Sequence, residues 1–284
     1  MTPTRTAVAA LAKFVEARER HRVAKEAGGN PARADPIISK YRFCNVRRND
    51  DRVTKWIHRH ILTPWRDQPH LWFALVVARL FNNEPTLDEL LAPANCVLPF
   101  KPEAMRKILH ARKAAGQKNF NAAYIVSTNG LAMDKVDYVI DRVLTPLWEA
   151  RRKITRDMDV GQLANCHLLL TEYQGLGSFM AAQVLADLKY ASPDKWEDFH
   201  TFAASGPGSR RGLNRVLGRP VDAPWREADF RNVLGDLRTM LNARLGMEPL
   251  TAQDVQNCLC EYDKYERVRT GQGEPKQLYK PKEG

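Results

Sequence analysis

Long apolar runs are missing from this sequence: nowhere do its 284 residues stay apolar for the roughly 20 positions a bilayer-spanning helix needs, so no membrane partner is expected. The first residues, MTPTRTAVAALAKFVEARERHRVAKEAGG, carry no cleavage-site pattern of a secretory signal, and a soluble intracellular protein is expected. Cysteine is scarce. Cys44, Cys96, Cys166, Cys258 and Cys260 are odd in number and scattered, which suits free thiols and excludes a disulfide framework. Only Cys258 and Cys260 are close, and no further Cys or His stands at ligand spacing, so no metal or iron–sulfur site is expected. No G-x-x-x-x-G-K-[ST] occurs, which excludes P-loop kinase chemistry in these residues. Repeats and low-complexity tracts are absent. So is any Asn-Gly turn between alternating strands, since Asn129-Gly130 follows the one β-like run, AYIVST.

What is present is ordinary globular material with a charge bias. A hydrophobic content of 44% is enough to bury one large core or two smaller ones. Lys and Arg number 44 against 33 acidic residues, a formal charge of +11, so the surface should attract a polyanion, nucleic acid first. Apolar spacing near 3.6 predicts helices over 4–25, 50–61, 71–81, 102–115, 133–156, 226–245 and 252–268, with two more across 163–190 broken at 174–177. Thr86-Leu-Asp-Glu89 has the form of a capping box, and Pro249-Leu-Thr251 marks the start of the last helix. The fold class read from this pattern is all-α, with room for one small hairpin.

Four clusters stand out. In LLLTEYQGLGSFMAAQVLADL, Gly175-Leu176-Gly177 separates two amphipathic segments at the spacing of a helix-hairpin-helix. The glycines permit backbone angles closed to other residues, Leu176 can pin the turn from inside, and amides near Ser178 can meet a DNA phosphate. An ordinary helix–turn–helix corner is the plainer account. Residues 41–52, YRFCNVRRNDDR, gather Arg42, Asn45, Arg48, Asp51 and Arg52, a density that suits a pocket for phosphate oxygens as well as it suits a solvated helix start. Gly206, Gly208 and Ser209, followed by Arg210 and Arg211 in GPGSRRGLN, form either an anion cradle or a plain loop-to-helix connection. On the last helix Glu261 and Lys264 are three apart, and Cys260, Asp263 and Lys264 three to four apart, so each group can share a face; a carboxylate and a lysine there supply either base and electrostatic roles or an exposed ion pair.

Taken in order, ADPIISKYRFCNVRRNDDRVTKWI, NAAYIVSTNG, TEYQGLGSFMAAQV, GPGSRRGLN and NCLCEYDKYERV resemble the alpha-glutamyl/putrescinyl thymine pyrophosphorylase family of phages, the amino acid:DNA transferases, and the related helical domain of 5-hydroxymethyluracil DNA kinases. The resemblance covers most of the chain. It implies a two-lobed, helix-hairpin-helix DNA-glycosylase-like fold over 1–270, with the terminal helices in one lobe, about 85–220 forming the hairpin lobe, and a basic tail over 271–284. It also implies DNA carrying pyrophosphorylated 5-hydroxymethyluracil as substrate, in the cytoplasm of a phage-infected bacterial host. The co-substrate is an amine, an amino acid or polyamine; no cofactor is firmly implied, and a divalent metal on the pyrophosphate is compatible. Asp263 is the first choice of general base, with Glu261 and Asp51 behind it and Lys264 assisting the leaving group. Arg42, Asn45, Arg48, Arg52, Arg210 and Arg211 form the expected pyrophosphate and base pocket; Gly175 to Ser178 with Gly206, Gly208 and Ser209 form the expected DNA contact. Base-excising relatives carry an aspartate after the hairpin in a V-D-T-H-like segment. Here the comparable stretch is GPGSRRGLN, and Asp198 is the nearest substitute. Base excision and a non-catalytic accessory role are the alternatives.

Overall fold

A computed structural model of the chain describes residues 2–28, 35–92, 95–121, 126–275 and 278. Among them there is no strand. An isolated antiparallel bridge joins Tyr41 to Leu278, and no helix is long and apolar enough to cross a membrane. The chain divides into two compact units, Met1–Asp51 with His200–Gly284, and Arg52–Phe199.

The first unit starts with α1 (Arg5–Glu26) and α2 (Pro36–Lys40), each capped as its sequence dictates: Thr4 accepts from the Ala7 amide, and Asp35 from those of Ile37 and Ile38. A single 3-10 turn, Arg48–Asp50, then leads out of the unit. The second unit contains α3 (Arg52–Ile57), α4 (Leu71–Phe81), α5 (Glu84–Leu91), α6 (Pro102–Ala114), α7 (Lys135–Tyr138), α8 (Thr145–Glu149), α9 (Arg151–Asp157), α10 (Leu163–Thr171) and α11 (Ser178–Leu188). The chain then re-enters the first unit as α12 (Pro207–Leu217), α13 (Glu227–Asn242) and α14 (Ala252–Arg269). Because α12 packs along α14, residues 207–217 belong with the terminal helices, and the unit that contains the glycine turn spans 52–199 where about 85–220 was expected.

The first unit closes around Val8, Leu11, Phe14 and Val15 of α1, with Leu237 and Leu241 of α13 and Val255 and Leu259 of α14. Burying each such side chain contributes about 1.5–3 kcal/mol. Close approach of α12 to α14 depends on two glycines four apart. A Cβ at Gly212 would stand 2.0 Å from the Leu259 carbonyl oxygen, and one at Gly208 would stand 2.4 Å from the Cys260 sulfur.

In the second unit every residue of α4 is buried, and α11 packs against it. Two π-helical stretches, His58–Leu62 after α3 and Val139–Leu144 between α7 and α8, each end two residues before a proline, Pro64 and Pro146. Proline lacks the amide that would bond one turn back, and the extra residue per turn absorbs that defect. The 3.6 spacing read over 50–61 and 133–156 is therefore interrupted, and the second span also breaks at Ala150 between α8 and α9.

Thr86-Leu-Asp-Glu89 is not a capping box. Helix α5 already begins at Glu84, the Thr86 hydroxyl donates to the carbonyls of Lys118 and Asn119, and Glu89 pairs with Arg112. Half of the β-like run, residues 123–125, lies outside the described residues, as does most of the expected tail.

Candidate anion-binding site

Helix α14 organises the site in the first unit. The Asp263 carboxylate is 1% exposed and accepts from Arg211 Nε at 3.0 Å and Arg215 Nε at 2.9 Å, with Arg267 Nε at 3.4 Å. Arg211 and Arg215 are four apart on α12, and Arg267 is four beyond Asp263 on α14, so helical spacing alone brings each pair onto one face. Three guanidiniums around one carboxylate leave two positive charges uncompensated. Arg211 and Arg267 are each 36% exposed, so part of that charge faces solvent.

Two residues earlier on the helix, Glu261 is buried and accepts through Oε2 from the Cys44 amide at 3.1 Å and from Lys264 Nζ at 2.6 Å. Lys264 Nζ also donates to the Arg42 carbonyl at 3.3 Å and lies over the Phe43 ring. Residues 42–51 are thus fastened backbone-first. Arg18 donates to the carbonyls of Cys44 and Asn45, and Asn257 also donates to Asn45. Asp51 accepts from the Asn45 amide at 3.4 Å, and Asp254 from that of Arg48 at 3.3 Å. Such anchoring leaves Arg42 on the surface beside Lys264. Burial and the neighbouring Glu261 charge push the Cys260 thiol up to about 11, so it stays protonated and is not a nucleophile.

The structure brings the clusters at 41–51, 206–214 and 258–267 into one unit, with several roles changed. Ser209, buried, accepts from the Gly206 amide at 2.9 Å and closes the start of α12, and Gly208 packs on Cys260; neither is turned to an external phosphate. Arg210 leaves the Asp263 cluster for Ser205 Oγ at 2.7 Å and Glu227 at 3.4 Å. Arg52 opens α3 in the second unit and pairs with Glu84 at 3.2 Å.

The glycine turn lies in the second unit, where α10 and α11 pack together across residues 172–177. Gly175 has φ +84°, and a Cβ there would meet Val143 at 2.6 Å, so both backbone and neighbour require glycine. Val143 reaches the turn from the second π-helical stretch. Leu176 is fully buried beneath the turn. Gly177 precedes α11 with open space where a Cβ would be, and Ser178 Oγ meets His167 Nε2 at 3.3 Å. Asp198 is engaged elsewhere, its carboxylate accepting from the amides of Leu163 and Ala164 at 2.7 and 3.0 Å to cap α10.

Sequence reasoning passed over Arg18, Arg215, Arg267 and Asp254. Arg18 continues the buried stripe at positions 8, 11 and 15, a signal that was available. It also passed over a buried pair in the second unit, Arg79 and Asp187, bonded through two contacts at 2.5 and 2.6 Å with Thr54 and Asn82 completing the guanidinium shell. His110, Asp134 and Asp137 have the proximity of a metal-ligand set, but Arg106 and Lys113 already neutralise the two carboxylates.

A family model described as the helical domain of 5-hmdU DNA kinase matches residues 5–274. No curated protein and no solved structure matches the chain.

Proposed function

The chain belongs to the family of 5-hmdU DNA kinase helical domains, and on that premise we propose that it modifies a hydroxymethyluracil-derived base in DNA, placing an amine on the pyrophosphorylated hydroxymethyl carbon with release of pyrophosphate. The observation that carries this reading is the buried Asp263 holding Arg211, Arg215 and Arg267 beside the Glu261–Lys264 pair. A prearranged cluster with excess positive charge stabilises the charge that develops on a departing pyrophosphate and needs no rearrangement during the reaction.

In this reading Asp263 positions arginines and is not the base, because its oxygens are committed to guanidiniums. Glu261 takes that role. Both of its hydrogen bonds fall on Oε2, which leaves Oε1 for the incoming amine. The ammonium gives one proton to Glu261; the freed amine attacks the methylene carbon; the carbon–oxygen bond to pyrophosphate breaks, and its electron pair leaves with pyrophosphate. Lys264 and Arg42 supply further positive charge at the departing group. The turn at Gly175 to Ser178 serves as a helix-hairpin-helix contact to the DNA backbone, in the cytoplasm of a phage-infected bacterial host.

Base excision would call on Asp198, whose carboxylate caps α10. Nucleoside mass spectrometry tests the proposal, after incubating the protein with DNA carrying pyrophosphorylated hydroxymethyluracil and a panel of amino acids and polyamines. A mass gain matching one amine is expected. Abasic sites would move the protein to base excision, and unaltered DNA with retained affinity would make it an accessory.

A further inference from the structure

The second unit holds a half-open cavity of about 140 Å³. Trp72, Met158 and Trp196 give it apolar walls, Gln68 and Ser192 give it polar edges, and Arg66 and Lys195 stand on it as cations. Its floor is fixed: Thr155 Oγ1 accepts from Trp72 Nε1 at 2.8 Å and donates to the Pro69 carbonyl at 3.2 Å. Trp196 is 6% exposed and its indole N–H has no acceptor. Lys195 Nζ lies 5.0 Å from the Trp196 ring centroid and pairs with Asp159 at 2.8 Å.

More positive charge stands close by. His70, whose ring meets Thr155 at 3.0 Å, is held below the usual histidine value first by burial and then by Arg151 and Arg152. Arg66 and Lys195 are the cations that line the cavity, while Arg151 and Arg152 act on the neighbouring His70. A space of roughly 150 Å³ accommodates a benzene ring, so the volume here matches a single six-membered ring. Gln68 and Ser192 carry hydrogen-bond donors, which suit a ring rich in carbonyl oxygens.

We infer that this cavity receives one unpaired pyrimidine nucleotide of a DNA strand, the ring against the tryptophan walls and its phosphates on Arg66 and Lys195. A strand is favoured over a free nucleotide because DNA is the substrate proposed for this chain. Stacking on aromatic walls within a cationic border is how proteins hold single-stranded bases generally. The inference rests on DNA being the substrate but not on the transfer chemistry.

The test uses the full chain labelled with ¹⁵N at tryptophan, the Trp196 indole signal being assigned with Trp196→Phe. Thymidine monophosphate, thymidine, inorganic phosphate and a short oligothymidylate are titrated in turn. The indole signals of Trp72 and Trp196 are expected to move with the monophosphate and with the oligonucleotide, the latter binding more tightly. Replacing Arg66 and Lys195 by Gln should weaken the monophosphate about tenfold and thymidine hardly at all. Still signals, equal shifts with inorganic phosphate alone, shifts with the monophosphate but not the strand, or unchanged affinity in the double variant would each overturn the inference. Failure of amine transfer with these shifts present would count against the proposed reaction alone.

Discussion

Among the described residues, two carboxylates are buried against arginine, and they are built for different work. In the second unit Asp187 is fully buried, and its partner Arg79 is 2% exposed, with a guanidinium enclosed by Asp187, Asn82 and Thr54. In the first unit Asp263 is as deeply buried, but two of its three arginines stay a third exposed. One arrangement spends its charge internally and can only hold helices together. The other keeps surplus positive charge at the surface, fixed in place by a carboxylate that solvent hardly reaches, as a site for an anionic group requires.

The largest effect should come from breaking the closed pair. Arg79→Met strands the Asp187 charge in the core and is expected to cost about 3–5 kcal/mol in urea unfolding, most of it recovered when Asp187→Leu is added. If Arg79→Met left stability intact, the pair would not be the structural half of the contrast. The open cluster should answer differently. Arg211→Gln is expected to lower the rate of pyrophosphate release about 10²–10³-fold, while unfolding shifts by less than about 1 kcal/mol because the lost ion pair is partly exposed. A large loss of stability with little loss of rate would reverse the assignment.

The glycines sharpen the same comparison at smaller scale. Gly212→Ala drives a methyl group into the Leu259 carbonyl and should cost about 1–3 kcal/mol, releasing α12 and its arginines from α14. Gly175→Ala should destabilise the second unit through its positive φ and Val143, whereas Gly177→Ala, with open space around it, should change unfolding by less than about 1 kcal/mol. Equal losses at Gly175 and Gly177 would contradict the geometry of the turn.

The smallest effect concerns acid. Asp134 is held below its ordinary value of 3.8 first by the Lys113 hydrogen bond, and Asp137 first by that of His110. Depressed values mean that the unfolded chain binds protons more readily, so this contribution is complete above the unfolded value and fades as pH falls through 3.8 toward the folded values. Thermal unfolding followed between about pH 5 and pH 3 should show a shallower fall in the Asp134→Asn, Asp137→Asn double variant than in the parent.

Features set by neighbours in sequence were legible. The break expected at 174–177 and found at 172–177, the Thr251 cap of α14 and the apolar stripe of α1 all follow from short-range spacing. Features set by distant partners were not. Arg79 and Asp187 are 108 positions apart, and only the charge inside LWFALVVARLF hinted at a buried partner. Asp263 sits four residues from Arg267, but nothing local tells that Arg211 and Arg215 arrive from another helix to occupy its oxygens. GPGSRRGLN looked like an exposed cradle because glycine serves close helix packing and phosphate contact equally well. Contact with Cys260 and Leu259 decides between them.

Pyrophosphate release and nucleoside mass, followed together for the parent and for Arg211→Gln on DNA carrying pyrophosphorylated hydroxymethyluracil with an amine donor, test the central claim most directly. The account predicts release and mass gain in step for the parent, and both lost together in a variant that remains folded. Full turnover in folded Arg211→Gln would contradict it.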